Sequence, residues 1–249
     1  EWNMSELTQS EQKKLVGCSA IDQLIEKKLL LSGMKVGLGT GSTAMPAVQR
    51  LAQRINDGTL SGIKAVATSF QTSIMCEELG IPVYTLNSRE IGGELDIAID
   101  GADEIDEKNN LIKGGGAAHV KEKIVEYNAG LLVIIADESK LVKDLGTQFP
   151  LPVEVIADAR VPVTLALEKL GAQCMLREGV RKAGPVITDN GNQIIDCIWQ
   201  KTADGTSPID PVAMEDIIND ITGVLENGFF TKKRPIVFIA HKDGTVEQR

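Results

Sequence analysis

The sequence has little of what marks metal-binding, disulfide-stabilised or nucleic-acid-binding proteins. Its 249 residues include four cysteines and two histidines, and the cysteines are far apart, with no CxxC pair. This scarcity argues against a Cys/His zinc site and a disulfide framework, so we expect reduced cysteines. Aromatic residues make up 4% of the chain, the net charge is −9 and no basic tract is present. A nucleic-acid partner is therefore not expected.

Long hydrophobic runs are also missing. No apolar stretch reaches the roughly 18 residues that cross a bilayer, and the N-terminal segment lacks the basic region and apolar run of a secretory signal. With 43% hydrophobic residues, the chain can build one large or two modest domains. We therefore expect a globular, cytoplasmic protein with no membrane segment.

Short apolar runs alternate with helical segments in the first part of the chain. The predicted strands cover 34–39, 63–69, 81–86, 94–100 and 131–137, and the predicted helices cover 11–31, a segment capped by Ser42 or Thr43, 73–80 and 117–130. This alternation predicts an α/β fold with a mostly parallel, Rossmann-like sheet covered by helices on both faces.

The pattern changes near FPLPVEVI at 149–156, where prolines interrupt the apolar runs. Asp189-Asn190-Gly191 between two apolar runs predicts a β-hairpin, and helical segments on either side complete a small α+β unit. The apolar run in 234–245 resembles a buried strand that returns to the first sheet. We predict a larger domain, 1–148 with 229–249, and a smaller one, 149–228.

Three polar segments follow predicted strands: GLGTGST at 37–43, the acidic stretch that begins at Asp100, and ADESK, which ends in Lys140. Ligands bind beyond the carboxyl ends of parallel strands, so we expect the three segments at one edge of the sheet.

GLGTGST has the composition of a turn that binds one phosphate group. It lacks the GK[ST] of a Walker loop, and the second strand ends in Thr68 and Ser69 instead of the acid that a dinucleotide ribose requires. Glycines and hydroxyls at a helix N-terminus suit an anion, because backbone N–H groups and the helix dipole favour negative charge there. A tight turn with an N-cap and no ligand is the alternative.

The stretch DGADEIDEKNNLIKGGGAA at 100–118 combines acids, Lys113 and three glycines. Its spacing departs from an EF-hand, because Ala102 stands at the third position, and Lys113 would compete with a cation, so we expect no metal. Asp100, Asp103 and Lys113 suit proton transfer on a small phosphorylated sugar or acid.

Other residues of this region have plainer interpretations. Asp106, Glu107 and Lys108 resemble a solvated turn. Helical periodicity places Glu122 on a solvated face and gives His119 a packing or surface position.

Five motifs occur in order: GLGTGSTA, DGADEID, KGGGAA with a glutamate soon after, ADESK and FPLPVEV. Together they resemble the A-type ribose-5-phosphate isomerase family over nearly the whole chain, from about residue 13 onward. The resemblance implies interconversion of D-ribose 5-phosphate and D-ribulose 5-phosphate through a cis-enediolate in the pentose phosphate pathway, with no cofactor. It also implies a ferredoxin-like smaller domain and a homo-oligomer, which we expect to be a dimer.

The resemblance further implies roles for individual residues. Glu122 would be the catalytic base, Lys113 would stabilise the oxyanion, and Asp100 and Asp103 would bind hydroxyls and assist proton shuttling. The substrate-binding residues it implies are Lys13, Thr40, Gly41, Ser42, Thr43, Asp100, Gly101, Ala102, Asp103, Lys113, Gly114, Gly115, Gly116 and Lys140.

Two alternatives stay open. A non-catalytic sugar-phosphate sensor would keep the GTGST loop without needing Glu122 and Lys113 together. An isomerase–deaminase of amino-sugar phosphates would be expected to use a histidine, His119 or His241, in ring opening. By comparison with compact members of the family it resembles, the chain looks longer at residues 181–185 and 199–208, which we interpret as longer loops that leave oligomer contacts open.

Overall fold

The computed structural model describes residues 6–249. The helices are α1 (Gln9–Glu26), α2 (Ala44–Asn56), α3 (Phe70–Glu78), α4 (His119–Tyr127), α5 (Arg160–Lys169) and α6 (Pro211–Asn219). The strands are β1 (Lys35–Leu38), β2 (Lys64–Ala67), β3 (Val83–Tyr84), β4 (Leu95–Asp100), β5 (Glu104–Ile105), β6 (Leu111–Ile112), β7 (Ala129–Asp137), β8 (Leu151–Val155), β9 (Gln173–Leu176), β10 (Gln193–Ile198), β11 (Val224–Asn227), β12 (Phe229–Phe230), β13 (Ile236–Ala240) and β14 (Val246–Gln248). No helix in this described part combines the length and apolar character needed to cross a bilayer.

The chain divides into two compact units. The first contains the residues up to Gly101, Ile124–Lys140 and Pro235–Arg249, and the second contains Ala102–Lys123 and Leu141–Arg234. The second unit thus takes in segments on both sides of the range 149–228. The division into 1–148 with 229–249 and 149–228 remains a prediction.

A seven-stranded sheet forms the centre of the first unit. Its order is β14-β13-β7-β4-β1-β2-β3, and every pair is parallel except β13 with the edge strand β14. The inner strands are apolar on both faces, as a parallel sheet covered by helices requires. Val16, Leu24, Val48 and Leu51 of α1 and α2 are fully or almost fully buried in its core. The predicted α/β fold is confirmed, including the return of the last apolar run as β13.

The second unit is built on an antiparallel sheet of order β11-β8-β10-β9. The chain runs β8-α5-β9-β10-α6-β11, so the unit has the βαββαβ connectivity of the ferredoxin-like motif. Helices α5 and α6 bury Val163, Leu167 and Ile218 in the same core as Trp199. A smaller sheet, β12-β6-β5, holds the segment after Asp103.

The first helix ends earlier than the predicted residue 31. Lys28 adopts a left-handed φ of 58°, and the N–H groups of Lys28 and Leu29 donate to the carbonyls of Ile25 and Leu24. These bonds form a Schellman ending, in which a lysine stands where glycine is usual, so Gly33 is not the stop signal. The buried face is also rotated: Val16, Ala20 and Leu24 are buried, whereas Leu15 and Cys18 are half-buried.

The predicted hairpin at Asp189-Asn190-Gly191 is present only as a turn. The Thr188 N–H donates to the carbonyl of Asn192 and the Gly191 N–H to that of Thr188. The apolar run before the turn is not a strand, and β10, which follows the turn, pairs with β8 and β9.

Candidate active site

The carboxyl ends of four parallel strands form one edge of the first unit's sheet. Strands β1, β2, β4 and β7 end at Leu38, Ala67, Asp100 and Asp137, and they are neighbours in the sheet. The loops that follow them therefore lie along the same edge, as predicted for the three polar segments. Lys140 is half-buried there, at the end of the short 3₁₀ helix Glu138–Lys140.

Gly39 and Asp100 interlock at this edge. A Cβ on Gly39 would lie 1.8 Å from Oδ1 of Asp100, so no other residue fits at position 39 without moving the carboxylate. The same oxygen accepts hydrogen bonds from the N–H groups of Thr40 (3.2 Å) and Gly101 (2.7 Å). Asp100 is only 1% exposed, and its orientation is set by backbone donors.

Three hydroxyls lie close to that of Thr40 and were not assigned to the site from the sequence: those of Thr68, Ser69 and Thr72. Thr40 Oγ1 contacts Thr68 Oγ1 at 2.7 Å and Ser69 Oγ at 2.8 Å. Thr72 Oγ1 donates to the carbonyl of Gly39 at 2.7 Å. In the sequence, Thr68 and Ser69 served only to argue against a dinucleotide, and only the pairing of β1 with β2 shows that they belong here.

The GTGST turn leads into α2 with its hydroxyls directed to other partners. Gly41 has a φ of +97°, and Thr43 is the N-cap residue but its side chain makes no capping hydrogen bond. Ser42 Oγ accepts a hydrogen bond from Lys13 Nζ at 3.0 Å. Thr43 thus stands at the N-cap position, as one of the two predicted residues, but the predicted capping hydrogen bond from a side chain is not formed. The contact between Lys13 and Ser42 places a cation at the turn.

The second unit holds Asp103, Lys113 and the glycine loop, defined as residues 114–116. Gly114 has a φ of +101°, and a Cβ there would lie 2.6 Å from Pro152. The Gly115 N–H donates to Oδ2 of Asp103 at 2.7 Å, and a Cβ on Gly115 would lie 2.6 Å from Oδ1. The first two glycines are thus required by backbone conformation and by the close approach of Asp103.

Lys113 and Glu122 form a buried pair in this unit. They are 2% and 5% exposed, and Lys113 Nζ lies 3.8 Å from Glu122 Oε2. The opposite charges offset part of the desolvation cost that each bears. The Lys113 N–H donates to the carbonyl of Gly228, and its Nζ lies 5.5 Å from the centre of the Phe230 ring. The structure therefore brings together the two residues assigned as base and oxyanion-stabilising group.

The predicted solvated face for Glu122 is wrong. Helix α4 buries Glu122, Lys123 and Glu126 and leaves Ile124 49% exposed. Lys123 explains part of the burial of charged side chains on this face of the helix, because its Nζ contacts the carboxylates of Glu226 (2.8 Å) and Glu215 (3.3 Å). Burial of polar side chains by mutual pairing has no signal in hydrophobic periodicity.

The two histidines occupy different settings. His119 is fully buried, its Nε2 donates to the carbonyl of Glu226 at 3.1 Å, and burial lowers its pKa to about 4. It is a neutral packing residue at neutral pH, in agreement with the packing position that was one of the two predicted for it from helical periodicity. His241 lies between Glu247 and Glu138, which raise its pKa.

Asp106 is buried, against the expectation of a solvated turn. Its Oδ1 accepts the N–H groups of Lys108 (2.9 Å) and Asn110 (2.8 Å), so it organises the turn, while Glu107 and Lys108 are exposed. Gly101 and Ala102 are half-buried links between Asp100 and Asp103, and Gly116 is exposed.

Within residues 6–249, no group of three or more His, Cys, Asp or Glu side chains is placed to hold a metal ion.

Comparisons with known proteins place the chain in one family. A family model described as ribose 5-phosphate isomerase A (phosphoriboisomerase A) matches residues 64–244. Ribose-5-phosphate isomerase A of Treponema denticola is 60% identical over 96% of this chain and 98% of its own. The solved structure of ribose 5-phosphate isomerase A from Methanocaldococcus jannaschii is 42% identical, with a TM-score of 0.85 over 97% of this chain and 100% of its own. A structure of D-ribose-5-phosphate isomerase in complex with phospho-erythronic acid is 39% identical, with a TM-score of 0.87 over 98% of this chain and 99% of its own. The chain belongs to the ribose 5-phosphate isomerase A family.

Proposed function

We propose that this enzyme interconverts D-ribose 5-phosphate and D-ribulose 5-phosphate by moving one proton between C2 and C1, with Glu122 as the base. Family membership supports the overall isomerisation and its place in the pentose phosphate pathway. The observation that carries the residue assignment is the buried contact of 3.8 Å between Glu122 and Lys113.

The proposed chemistry needs no redox partner. Glu122 removes the proton from C2 of the open-chain aldose, and the C–H electrons form the C1–C2 double bond of a cis-enediolate. Lys113 stabilises the negative charge that develops on the substrate oxygen. Glu122 then returns the proton to C1, while the hydroxyl proton moves from O2 to O1 with help from Asp100 and Asp103.

The phosphate-binding part of the proposal rests on the first unit. The GTGST turn offers backbone N–H groups and hydroxyls at the start of α2, and Lys13 adds a positive charge at Ser42. The related isomerase in complex with phospho-erythronic acid supports a phosphorylated sugar-like ligand here. The net charge of −9 gives no general attraction for such an anion, so local donors must provide it.

Turnover in the presence of a chelator tests this function. Ribose 5-phosphate incubated with the protein and EDTA is expected to yield ribulose 5-phosphate. A protein that binds the sugar phosphate without converting it would be a sensor, and one that releases ammonia from an amino-sugar phosphate would be an isomerase–deaminase. The second alternative is disfavoured for His119, because that ring is fully buried and its Nε2 is already bonded to the carbonyl of Glu226.

We further propose that the enzyme is a cytoplasmic homodimer. The cysteines are free, which suits a reducing compartment. Sedimentation equilibrium is expected to give about twice the chain mass of 26.8 kDa. A mass of one or four chains would contradict the dimer.

A further inference from the structure

We propose that Arg177 is a positioning residue for the reaction: it fixes the peptide group between Gly114 and Gly115, and through that peptide group the orientation of the Asp103 carboxylate. The inference rests on the proposed function, because it assigns a further residue to the same site. Arg177, which was not singled out in the sequence, directly follows β9.

Arg177 joins the glycine loop to the antiparallel sheet of the second unit. Its Nη1 donates to the carbonyls of Gly114 (3.0 Å) and Gly115 (3.2 Å). Its Nε and Nη2 donate to the two oxygens of Asp196, at 2.8 and 2.6 Å. One guanidinium thus connects two consecutive loop carbonyls to a carboxylate on β10.

The backbone of Arg177 is held in place by two hydrogen bonds. The Arg177 N–H donates to the carbonyl of Ile194, and the Arg177 carbonyl accepts from the N–H of Val186, so the backbone is held on both sides. The side chains of Arg177 and Asp196 are 17% and 19% exposed, which limits screening of their ion pair by solvent.

The peptide group between Gly114 and Gly115 is held from opposite sides. Its carbonyl accepts from Arg177, and its N–H donates to Oδ2 of Asp103 at 2.7 Å. The bond is trans, so carbonyl and N–H point in opposite directions. A flipped peptide would lose these bonds, together with the one from the Ala117 N–H, and would turn the carbonyl oxygen towards the Asp103 carboxylate.

The Gly114 carbonyl also accepts from the Ala117 N–H at 3.0 Å within its own turn, and Arg177 adds a restraint from outside the turn. Glycine has the largest backbone freedom, and Gly115 and Gly116 are exposed, with no side chain to pack. Lysine cannot replace the arginine fully. Its ammonium is a single point charge and does not present the planar fork that bonds Asp196 twice while reaching two carbonyls.

Steady-state kinetics of Arg177→Met and Arg177→Lys test the proposal. We expect kcat of Arg177→Met to fall about 10- to 100-fold with KM within about threefold, since a misplaced site loses mainly transition-state stabilisation. Arg177→Lys should fall in between. Arg50→Met is the matched control, because it also removes an arginine bonded to both oxygens of one aspartate, Asp22, and should keep kcat unchanged.

Hydrogen exchange of the Gly115 amide provides a readout independent of turnover. In the wild type, this amide is expected to be protected by its bond to Asp103, and Arg177→Lys should reduce its protection while leaving core amides unchanged. If Arg177→Met does not fold, this measurement on Arg177→Lys decides the question.

The results distinguish a failure of the role of Arg177 from a failure of the proposed isomerase function. Wild-type kcat in Arg177→Met, or unchanged Gly115 protection in Arg177→Lys, overturns the role of Arg177 and leaves the proposed function intact. Absence of turnover in the wild-type enzyme contradicts the proposed function instead.

Discussion

At the scale of single residues, Glu122 shows that a side chain can be placed by its partners against the periodicity of its helix. Its neighbour Lys123 pairs in the interior with Glu226, and Glu122 itself contacts Lys113 in the loop after β6. The position of Glu122 therefore depends on residues distant in the chain, and only the family motif identified it from sequence.

Glu122→Gln is expected to lower kcat by about three orders of magnitude with KM changed by less than about threefold. The amide keeps the shape of the carboxylate but cannot accept the C2 proton, so the loss falls on the chemical step. Initial rates of ribulose 5-phosphate formation measure it, with the exposed Glu107→Gln as the control. A kcat near that of the wild type would remove Glu122 from the mechanism.

His119 makes the stability of the protein depend on pH. Its pKa is about 4 in the fold and about 6.5 when unfolded, so the unfolded state binds more protons between these values and stability is lost as the pH falls from 6.5 towards 4. Between pH 7 and pH 5 we expect a loss of about 2 kcal/mol in the free energy of unfolding from this residue.

Urea unfolding of the wild type and His119→Gln at both pH values tests this loss. Glutamine can still donate to the Glu226 carbonyl but does not titrate, so the variant should lose less stability at pH 5. His241→Gln is the contrasting variant. The raised pKa of His241 gives stability that is present at low pH and lost as the pH rises through its folded pKa. Equal slopes for the wild type and His119→Gln would refute the assignment.

At the scale of elements, the loop between β1 and α2 is shaped by contact with the end of β4. Gly39 is the point of closest approach, because Asp100 occupies the space of its missing side chain. The conformation of one loop thus depends on a carboxylate 61 positions further along the chain.

Gly39→Ala is expected to lower kcat at least tenfold and to destabilise the fold by about 1–3 kcal/mol, as overpacking does. The new methyl group would lie 1.8 Å from Oδ1 of Asp100, so the carboxylate must move. Kinetics and urea unfolding measure the two effects. Gly33→Ala is the control for kcat, since nothing lies within 4 Å of its Cβ; its φ of +83° strains an alanine, so this variant is expected to lose about 1 kcal/mol of stability without a loss of kcat. Unchanged kcat in Gly39→Ala would show that the position of Asp100 is unimportant.

The turn at 188–192 depends on one buried carboxylate of β8. Glu154 is 0% exposed, and its Oε1 accepts from Thr188 Oγ1 (2.8 Å), Asn190 Nδ2 (3.1 Å) and Asn192 Nδ2 (3.0 Å). The sequence Asp189-Asn190-Gly191 predicts the turn, and Glu154 holds it to the sheet.

Glu154→Ala is expected to lower the free energy of unfolding by about 3 kcal/mol, because three donors lose their acceptor. The kcat should stay close to the wild-type value, since the turn is not among the proposed catalytic residues. Urea unfolding checks the first effect and steady-state kinetics the second. A loss below 0.5 kcal/mol would show that water replaces the carboxylate.

At the scale of the whole molecule, the assigned roles are divided between the two units. The phosphate turn and Lys13 belong to the first unit, and Lys113 and Glu122 to the second. Variants of Lys13 should therefore affect mainly KM, and variants of Glu122 mainly kcat.

Lys13→Met is expected to raise KM about tenfold with kcat within about threefold, because it removes a charge proposed for phosphate binding and not for proton transfer. Lys14→Met is the control, since Lys14 is exposed and the contact with Ser42 comes from Lys13. Steady-state kinetics with ribose 5-phosphate distinguish them. A KM effect in Lys14→Met alone would reassign the phosphate contact.

The sequence by itself determined the fold class, because strand and helix patterns are local. It also determined that the polar segments of the first unit lie at one edge of the sheet, because parallel strands end at the same edge. The family motifs added the identity of Glu122. Tertiary structure alone decided what depends on pairing between distant residues: the burial of Glu122, the hydroxyls of Thr68 and Ser69 beside Thr40, and the contact of Arg177 with the glycine loop. Such pairings place polar side chains in the interior, where hydrophobic periodicity carries no information about them.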